Sequence, residues 1–255
     1  MVRTSVMQET SCRKIVDRLG CFSLLEYERD ISVNMTTAVS AYYASKMNVR
    51  KRQVVANLHG NGIIMQAGAM QWIAGDIEVA TNIKGAGDFA KKLIGSKVTG
   101  ESAVKPRYHG VGTVVLEPTY KHILFEDVST WGEGMVIEDK MFYACDETID
   151  MRVVARTTLS SAALGGEGLF NTCLSGRGVA VLESYVPRDE LIVMELTDPN
   201  DVVKIDGNMA IAWSSSLKFT VERTTKTLIG SAASGEGLVN VYRGQGKILM
   251  APVAK

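Results

Sequence analysis

Two glutamates stand in closely similar glycine-rich hexapeptides, and their repetition makes them the first candidates for chemistry. Gly166-Glu167-Gly168-Leu169-Phe170-Asn171 recurs as Gly235-Glu236-Gly237-Leu238-Val239-Asn240, and a weaker version begins at Gly100-Glu101. A carboxylate on a tight turn can bind a cation or a partner, or it can accept backbone N–H bonds and hold the turn. We favour the structural role, in which the glutamates hold their turns.

Histidine and cysteine supply no recognisable metal or nucleophile set. The histidines contain no His-x-His pair and the cysteines no Cys-x-x-Cys pair; they are His59, His109, His122, Cys12, Cys21, Cys145 and Cys173. Zinc sites and disulfide frameworks have closer and more regular spacings. We therefore expect a reduced, cytoplasmic protein that holds no metal and no cofactor. Two short strands separate His109 from His122, so these two rings could approach each other.

Phosphate-binding and hydrolase motifs are also missing from the sequence. Gly85-Ala86-Gly87-Asp88-Phe89-Ala90 imitates a dinucleotide fingerprint, but no alternation of strands and helices surrounds it. The chain has neither a Gly-x-x-x-x-Gly-Lys-[Ser/Thr] loop nor a Gly-x-Ser-x-Gly elbow. The sequence therefore predicts a protein that is not an enzyme.

The elements that carry these residues are short β-branched segments bounded by glycine, a pattern typical of strands. Period-two alternation at Ile149–Val153 and Leu217–Val221 indicates strands with one buried face. Helix-forming residues precede each Gly-Glu pair, at 89–94, 159–164 and 228–233, and predict short helical turns there. Near the N-terminus we expect strands at 15–16, 22–27 and 53–58, and a helix over 36–47 with Thr36 as its N-cap.

Three landmarks recur in the same order at a nearly constant spacing. Met141-Phe142-Tyr143-Ala144 matches Met209-Ala210-Ile211-Ala212, and the Gly-Glu-Gly hexapeptides follow both. A Gly-x-Gly pair then precedes an apolar strand in each copy, as it does in a weaker first copy; the glycines are Gly110, Gly112, Gly176, Gly178, Gly244 and Gly246. The offsets predict three tandem, mostly antiparallel β repeats, at 61–130, 131–200 and 201–255, behind an N-terminal segment 1–60.

Charge and hydropathy limit the classes of partner. The chain of 255 residues has 28 basic and 28 acidic side chains, and 7% of its residues are aromatic. A neutral chain with few aromatics is unlike a DNA-binding protein and disfavours RNA binding. No apolar stretch is long enough to span a bilayer, and the first 17 residues lack the apolar core of a secretory signal.

Arg50-Lys51-Arg52 is the one dense basic run in the sequence. It could contact phosphate or anionic lipid, which leaves a peripheral membrane contact open. We favour a solvated turn or edge strand, where charges discourage edge-to-edge pairing.

The repeated hexapeptides, the Gly-x-Gly pairs, Gln66-Ala67-Gly68-Ala69-Met70-Gln71-Trp72 and Gly75-Asp76 resemble the altered-inheritance-of-mitochondria protein twenty-four family, in its bacterial branch. The resemblance covers about 60–255. It implies a tryptophan RNA-binding attenuation protein-like fold with three β-sandwich repeats, often associating as oligomers. Mitochondrial members look like inner-membrane-associated factors, and the family supplies no catalytic residues to carry over.

Together these observations predict an all-β structural or interaction protein that is not an enzyme. It would form a β-repeat scaffold and a homo-oligomer, with a trimer favoured, because partners cover sheet edges and apolar surface. Two alternatives stay open. One is a small-ligand- or RNA-binding module at the clefts between repeats. The other is an unrecognised enzyme that pairs Glu167 or Glu236 with His109 or His122.

Overall fold

The computed structural model describes residues 2–29, 32–81, 105–155, 170–223 and 238–253. These residues form one α-helix, α1 (Ala38–Lys46), two short 3₁₀ turns and the following strands. The strands are β1 (Arg13–Leu19), β2 (Phe22–Tyr27), β3 (Lys51–Met65), β4 (Met70–Ala80), β5 (Arg107–Leu116), β6 (His122–Asp127), β7 (Met135–Ile137), β8 (Phe142–Asp146), β9 (Ile149–Ala155), β10 (Phe170–Gly176), β11 (Val179–Ser184), β12 (Ile192–Leu196), β13 (Val202–Asp206), β14 (Ala210–Ser214), β15 (Lys218–Arg223), β16 (Leu238–Arg243) and β17 (Gly246–Met250).

The predicted all-β class is confirmed, because the described chain is mostly strand. Five of the strands predicted from β-branched runs and period-two alternation are present as β1, β2, β3, β9 and β15. The apolar run Val54–Leu58 of β3 is almost continuously buried, as expected for a strand covered on both faces. The short helical turns predicted at 89–94, 159–164 and 228–233 lie outside the described residues.

The strands form three antiparallel sheets. The eight-stranded sheet runs β1-β2-β3-β8-β11-β6, with β5 joined to β3 and β4 to β5. The six-stranded sheet runs β12-β17-β14-β7-β10-β9, and the three-stranded sheet runs β13-β16-β15.

The same pairing scheme occurs in two consecutive strand groups, β6–β11 (group 2) and β12–β17 (group 3). Within group 2, β11 pairs with β6 and β8, and β10 pairs with β7 and β9. Within group 3, β17 pairs with β12 and β14, and β16 pairs with β13 and β15. The strands β3–β5 (group 1) are longer, and β5 pairs along its length with both β3 and β4. These pairings agree with a repeated unit, while the predicted boundaries of the three repeats stay a prediction.

Each sheet buries apolar side chains against another part of the molecule. One core lies between β6, β8 and β11 of the eight-stranded sheet and the six-stranded sheet, and it includes Trp131, Phe142 and Leu249. A second joins β2, β3 and β5 to β6 and β11 through residues such as Phe22 and Phe125. A third packs the three-stranded sheet on the six-stranded one, with Trp213 stacked on Phe219 at 5.7 Å between ring centroids.

The N-terminal segment joins group 1 by strand pairing. β2 pairs with β3 from Phe22↔Ala56 to Tyr27↔Lys51. β3 itself runs unbroken through residue 60, where the N-terminal segment was predicted to end. The predicted helix is present but begins later, and Thr36 does not cap it. Thr37 occupies the N-cap position, and the Asn34 carboxamide oxygen accepts the N–H groups of Thr36 and Thr37 instead.

Candidate functional site

The Gly-Glu-Gly turns cannot be located, because their residues lie outside the described ones. These residues are Gly100, Glu101, Gly166, Glu167, Gly168, Gly235, Glu236 and Gly237. The hexapeptides do end in described strands, since β10 begins at Phe170 and β16 at Leu238. The structural role favoured for these glutamates therefore stays a prediction.

Two of the three Gly-x-Gly pairs lie where the chain of a strand group passes from one sheet to another. Gly176 and Gly178 flank the turn between β10 and β11, and Gly244 and Gly246 flank the turn between β16 and β17. Gly110 and Gly112 instead lie inside β5, which continues without a break. The expectation of a strand starting after Gly112 was therefore too narrow, because the strand already includes both glycines.

A polar residue at the end of the neighbouring strand explains the second glycine of these turns. A Cβ on Gly178, whose φ is +146°, would lie 2.9 Å from the Cβ of Asp146. A Cβ on Gly246 would lie 2.7 Å from the Cβ of Ser214. The same two side chains accept the next backbone N–H: Val179 N donates to Asp146 Oδ2 at 2.7 Å, and Lys247 N donates to Ser214 Oγ at 3.0 Å. Each turn is thus held by a side-chain cap that needs a glycine beside it.

Asp146 and Ser214 were not predicted from the sequence, although their spacing could have indicated them. They lie 68 positions apart, as do the two Met-x-x-Ala segments just upstream of them. Because one is a carboxylate and the other a hydroxyl, comparison by residue type does not align them. Their shared property is a hydrogen-bond acceptor at the end of a strand.

The turn after β8 gathers further ionisable side chains. His109 Nδ1 lies 2.8 Å from Glu147 Oε1, and Arg107 lies 3.7 Å from Glu147 Oε2. Next to them, Cys21 Sγ donates to Asp146 Oδ1 at 3.5 Å. Burial, and then the Asp146 charge, raise the pKa of the Cys21 thiol far above its ordinary value. The thiol therefore stays protonated at neutral pH and is a poor nucleophile.

The pair of His109 and Glu147 has the geometry of an oriented base, but no hydroxyl or thiol of the described residues is hydrogen-bonded to it as a nucleophile. Within the described part of the chain, the His109 ring bonds to Glu147 and to no serine, threonine or cysteine. A nucleophile within hydrogen-bond reach of the base is the usual signature of covalent catalysis. The arrangement suits a surface ion pair between β5 and the β8–β9 turn.

The two histidines that could have met do not share partners. His109 bonds to Glu147, whereas His122 lies on β6 and interacts electrostatically with Arg52 and Glu26. Burial, followed by the Arg52 charge, lowers the pKa of His122. Among the described residues, no group of three or more His, Cys, Asp or Glu side chains could hold a metal ion.

A carboxylate on a neighbouring strand compensates part of the charge of the basic run 50–52. Arg50 Nη1 lies 2.7 Å from Glu26 Oε1, and Arg52 Nη2 lies 3.0 Å from Glu26 Oε2. Lys51 Nζ lies 5.7 Å from the centre of the Tyr27 ring. The prediction of a solvated turn or edge strand is therefore wrong for Arg52, whose side chain is buried. This burial is possible because Glu26 on β2 supplies a counter-charge.

A cleft between groups 1 and 2 lies at the Gln66–Trp72 motif. Its volume is about 240 Å³, and its walls include Gln66, Gly68, Glu117, Tyr143 and Glu183. Burial, followed by the charges of Glu183 and Glu117, raises the pKa of the Tyr143 hydroxyl, which donates to the Glu117 carbonyl at 2.5 Å. Two carboxylates in this cleft would repel a phosphate backbone.

A larger cavity lies beneath α1. Its volume is about 370 Å³, and its walls combine phenols, hydroxyls, small apolar side chains and cations, among them Tyr27, Tyr120, Ser40, Ala41, Arg50 and Lys51. None of the α1 residues is buried. The outer surface of the helix and its flanks carries exposed apolar side chains, with Met35 at 96% and Met47 at 75% exposure. Within the described residues, no helix has the length and apolar character needed to cross a membrane.

Comparison with known proteins gives a family and a fold. The family model described as mitochondrial biogenesis AIM24 matches residues 46–253. An uncharacterized protein of Streptococcus pyogenes serotype M6 is 27% identical over 199 residues, which span 74% of this chain and 76% of that protein. The crystal structure of a Streptococcus pyogenes protein aligns over 95% of this chain and 94% of its own, with a TM-score of 0.57 and 22% identity.

Proposed function

The chain belongs to the mitochondrial biogenesis AIM24 family, and from this premise we propose that it is a structural protein without catalytic activity. Its role is that of a β scaffold which assembles with further copies of itself, with a trimer as the expected form. Its expected location is the cytoplasm, the prediction made from its scattered cysteines.

The observation that carries this proposal is that strand groups join by sharing sheets. β3 of group 1 pairs with β8 of group 2, and β7 of group 2 pairs with β14 of group 3. Each junction adds strands to a neighbour's sheet and so pairs backbone N–H and C=O groups that an edge strand would otherwise leave open. A protein built by such additions can also grow by them between chains.

The chemistry of the side chains supports a role without catalysis. The described residues bring together one imidazole and one carboxylate, at His109 and Glu147, and the nearby Cys21 thiol bonds to Asp146 instead. The pairing of Glu167 or Glu236 with a histidine remains an untested alternative, because both glutamates lie outside the described residues.

Light scattering of the full chain in solution tests the proposal. We expect a mass that is a multiple of 27.7 kDa, three-fold for the trimer, and stable on dilution through the micromolar range. A mass equal to one chain over that range would overturn the assembly on which the scaffold depends.

A second candidate function is the binding of a small amphipathic anion, favoured by the cavity beneath α1. Arg50 and Lys51 supply positive charge beside Ala41 and two tyrosines, the mixed lining typical of small-molecule sites. RNA binding at the cleft beside Gln66 is disfavoured by Glu117 and Glu183.

An aromatic sulfonate dye, anilinonaphthalene sulfonate, is a suitable probe for this cavity. Ala41→Trp, which fills the cavity, should abolish a saturable fluorescence increase that Val39→Trp on the exposed surface of α1 preserves. Equal binding by both variants, or none by the unmodified protein, would rule the cavity out as the dye site.

A further inference from the structure

We propose that the outer edge of β13 in one copy of the protein pairs with the outer edge of β4 in the next, so that copies join head to tail. This inference rests on the proposed self-assembly and names its interface. It follows from two junctions inside the chain that show how one strand group receives another.

The two internal junctions have the same geometry. Each pairs three residues of one strand with three of the next group; the pairs are Ile63↔Asp146, Ile64↔Cys145 and Met65↔Ala144 in the first, and Met135↔Ser214, Val136↔Trp213 and Ile137↔Ala212 in the second. Each is flanked by two further backbone bonds, which are Gln66 N to Tyr143 O and Glu147 N to Gly62 O in the first, and Glu138 N to Ile211 O and Ser215 N to Gly134 O in the second. The four bonds measure 2.8 to 3.0 Å.

β13 is the group 3 counterpart of β3 and β7, the strands that offer an edge to the next group. It pairs with β16 as β7 pairs with β10, which places Val203, Lys204 and Ile205 where β7 has Met135, Val136 and Ile137. In the described structure β13 pairs with β16 alone, and its Val202 is 48% exposed.

β4 is the group 1 counterpart of β8 and β14, the strands that receive an edge. Each of the three strands has a register shift at the same point against the strand that it pairs with inside its own group, and in β4 this shift lies between Met70 and Trp72. Trp72, Ile73 and Ala74 therefore correspond to Ala144, Cys145 and Asp146 of β8. The first half of β8 is buried, whereas Met70, Gln71 and Ile73 are exposed. As far as the structure is described, β4 pairs with β5 and with no other strand.

Transferring the internal junction to these two edges fixes the expected register between chains. Ile205 would pair with Trp72, Lys204 with Ile73, and Val203 with Ala74 of the next copy. The flanking bonds would run from Asp206 N to Gln71 O and from Gly75 N to Val202 O. Because the two surfaces differ, the contact is heterologous, and it closes into a ring when the rotation between copies permits. A ring of three matches the expected trimer.

A single proline tests this edge without disturbing the sheet behind it. In β7 and its flanks, Gly134 and Glu138 bond outward to group 3, so by alternation Val202, Lys204 and Asp206 of β13 face outward. Lys204→Pro thus removes an outward N–H and no bond to β16, a position where an edge strand tolerates proline. Lys204→Ala, which keeps the N–H, is the matched control.

We expect light scattering to give the unmodified mass for Lys204→Ala and 27.7 kDa for Lys204→Pro, with unchanged circular dichroism. Ile73→Pro, at the opposite edge, should also be monomeric. An equal mixture of the two proline variants should form dimers, because each retains the edge that the other has lost.

The outcomes separate the interface from the proposed function. If the unmodified protein is an oligomer and folded Lys204→Pro keeps its mass, or the mixture forms no dimers, this interface is wrong and self-assembly stands. If the unmodified protein is a monomer, both the interface and the proposed self-assembly are wrong. Should a proline variant not fold, a chain with Cys12→Ser, Lys204→Cys and Ile73→Cys should form covalent oligomers with a short bismaleimide, whereas the Cys12→Ser chain with only one of the two new cysteines should not; equal cross-linking in all three would refute the pairing.

Discussion

The backbone N–H of Val179 donates a 2.7 Å hydrogen bond to Oδ2 of Asp146, and this bond ties the start of β11 to the end of β8. Lys247 and Ser214 repeat the relationship at 3.0 Å between β17 and β14. In both places a glycine directly precedes the donor. The Gly-x-Gly turns are therefore built around an acceptor that comes from another strand of the same group.

Gly178→Ala should destabilise the fold by about 3 kcal/mol, because the new methyl group combines backbone strain with a collision. At φ +146° it would meet the Cβ and Oδ2 of Asp146, each at 2.9 Å. Gly207→Ala is the control, since its φ is +57° and its Cβ would meet nothing within 4 Å. That control should lose only about 1 kcal/mol from the left-handed conformation. Urea unfolding of both variants measures the difference, and equal losses would contradict the collision.

Native-state alkylation should modify Cys12 well before Cys21. Burial and the Asp146 charge raise the pKa of Cys21, and burial raises the pKa of Cys145 to about 12, so neither forms thiolate readily. Cys173 is also buried. Peptide mass spectrometry after brief iodoacetamide treatment at pH 8 gives the order. Asp146→Asn keeps an acceptor for Val179 but removes the charge, and it should speed the reaction mainly at Cys21, because Cys145, whose pKa the Asp146 charge also raises, is fully buried.

Glu26→Gln should cost about 3 kcal/mol of unfolding free energy, because it leaves the buried Arg52 guanidinium without a counter-charge. Arg52 Nη2 lies 3.0 Å from Glu26, and its side chain is 4% exposed. Glu28→Gln breaks the exposed pair with Lys14 and should leave stability almost unchanged, because solvent screens this pair. Chemical denaturation compares the two variants. Arg52 also donates to the backbone carbonyls of Arg50 and Asn48, each at 3.3 Å, and a similar small loss for both variants would show that these carbonyls satisfy it.

Acid should weaken the three-stranded sheet through Glu222. Its hydrogen bonds to Arg243, at 2.6 and 2.8 Å, and then to Thr220 lower its pKa to about 2. A lowered carboxyl pKa gives stability that is complete above the unfolded value near 4.5 and is lost as pH falls toward 2. Since this pair is about one-third exposed, the effect after screening should be on the order of 1 kcal/mol or less. Melting temperatures from pH 6 to 2.5 should fall more steeply for the unmodified protein than for Glu222→Gln, and parallel curves would contradict the assignment.

Local sequence patterns were sufficient to predict the class of the fold. Period-two alternation located β9 and β15, and glycine-bounded apolar runs located β11 and β17, because strand formation depends on neighbours close in sequence. Thr36 was misassigned as a cap because Asn34 and Thr37 offer equivalent polar groups within the same turn. The choice between them depends on where the chain enters the helix.

Glycine turns and their spacing were visible in the sequence, but their acceptors Asp146 and Ser214 were not, since these side chains act across strands more than 30 residues away. The separation of His109 from His122, and the ion pairs of Arg50 and Arg52 with Glu26, likewise depend on which strands become neighbours. The sequence by itself determined a β protein with recurring landmarks, because alternation and turn chemistry are local. Only the tertiary structure decided which edges are paired inside the chain and which, at β4 and β13, have no second strand partner among the described residues, because strand pairing is a long-range property of the whole fold.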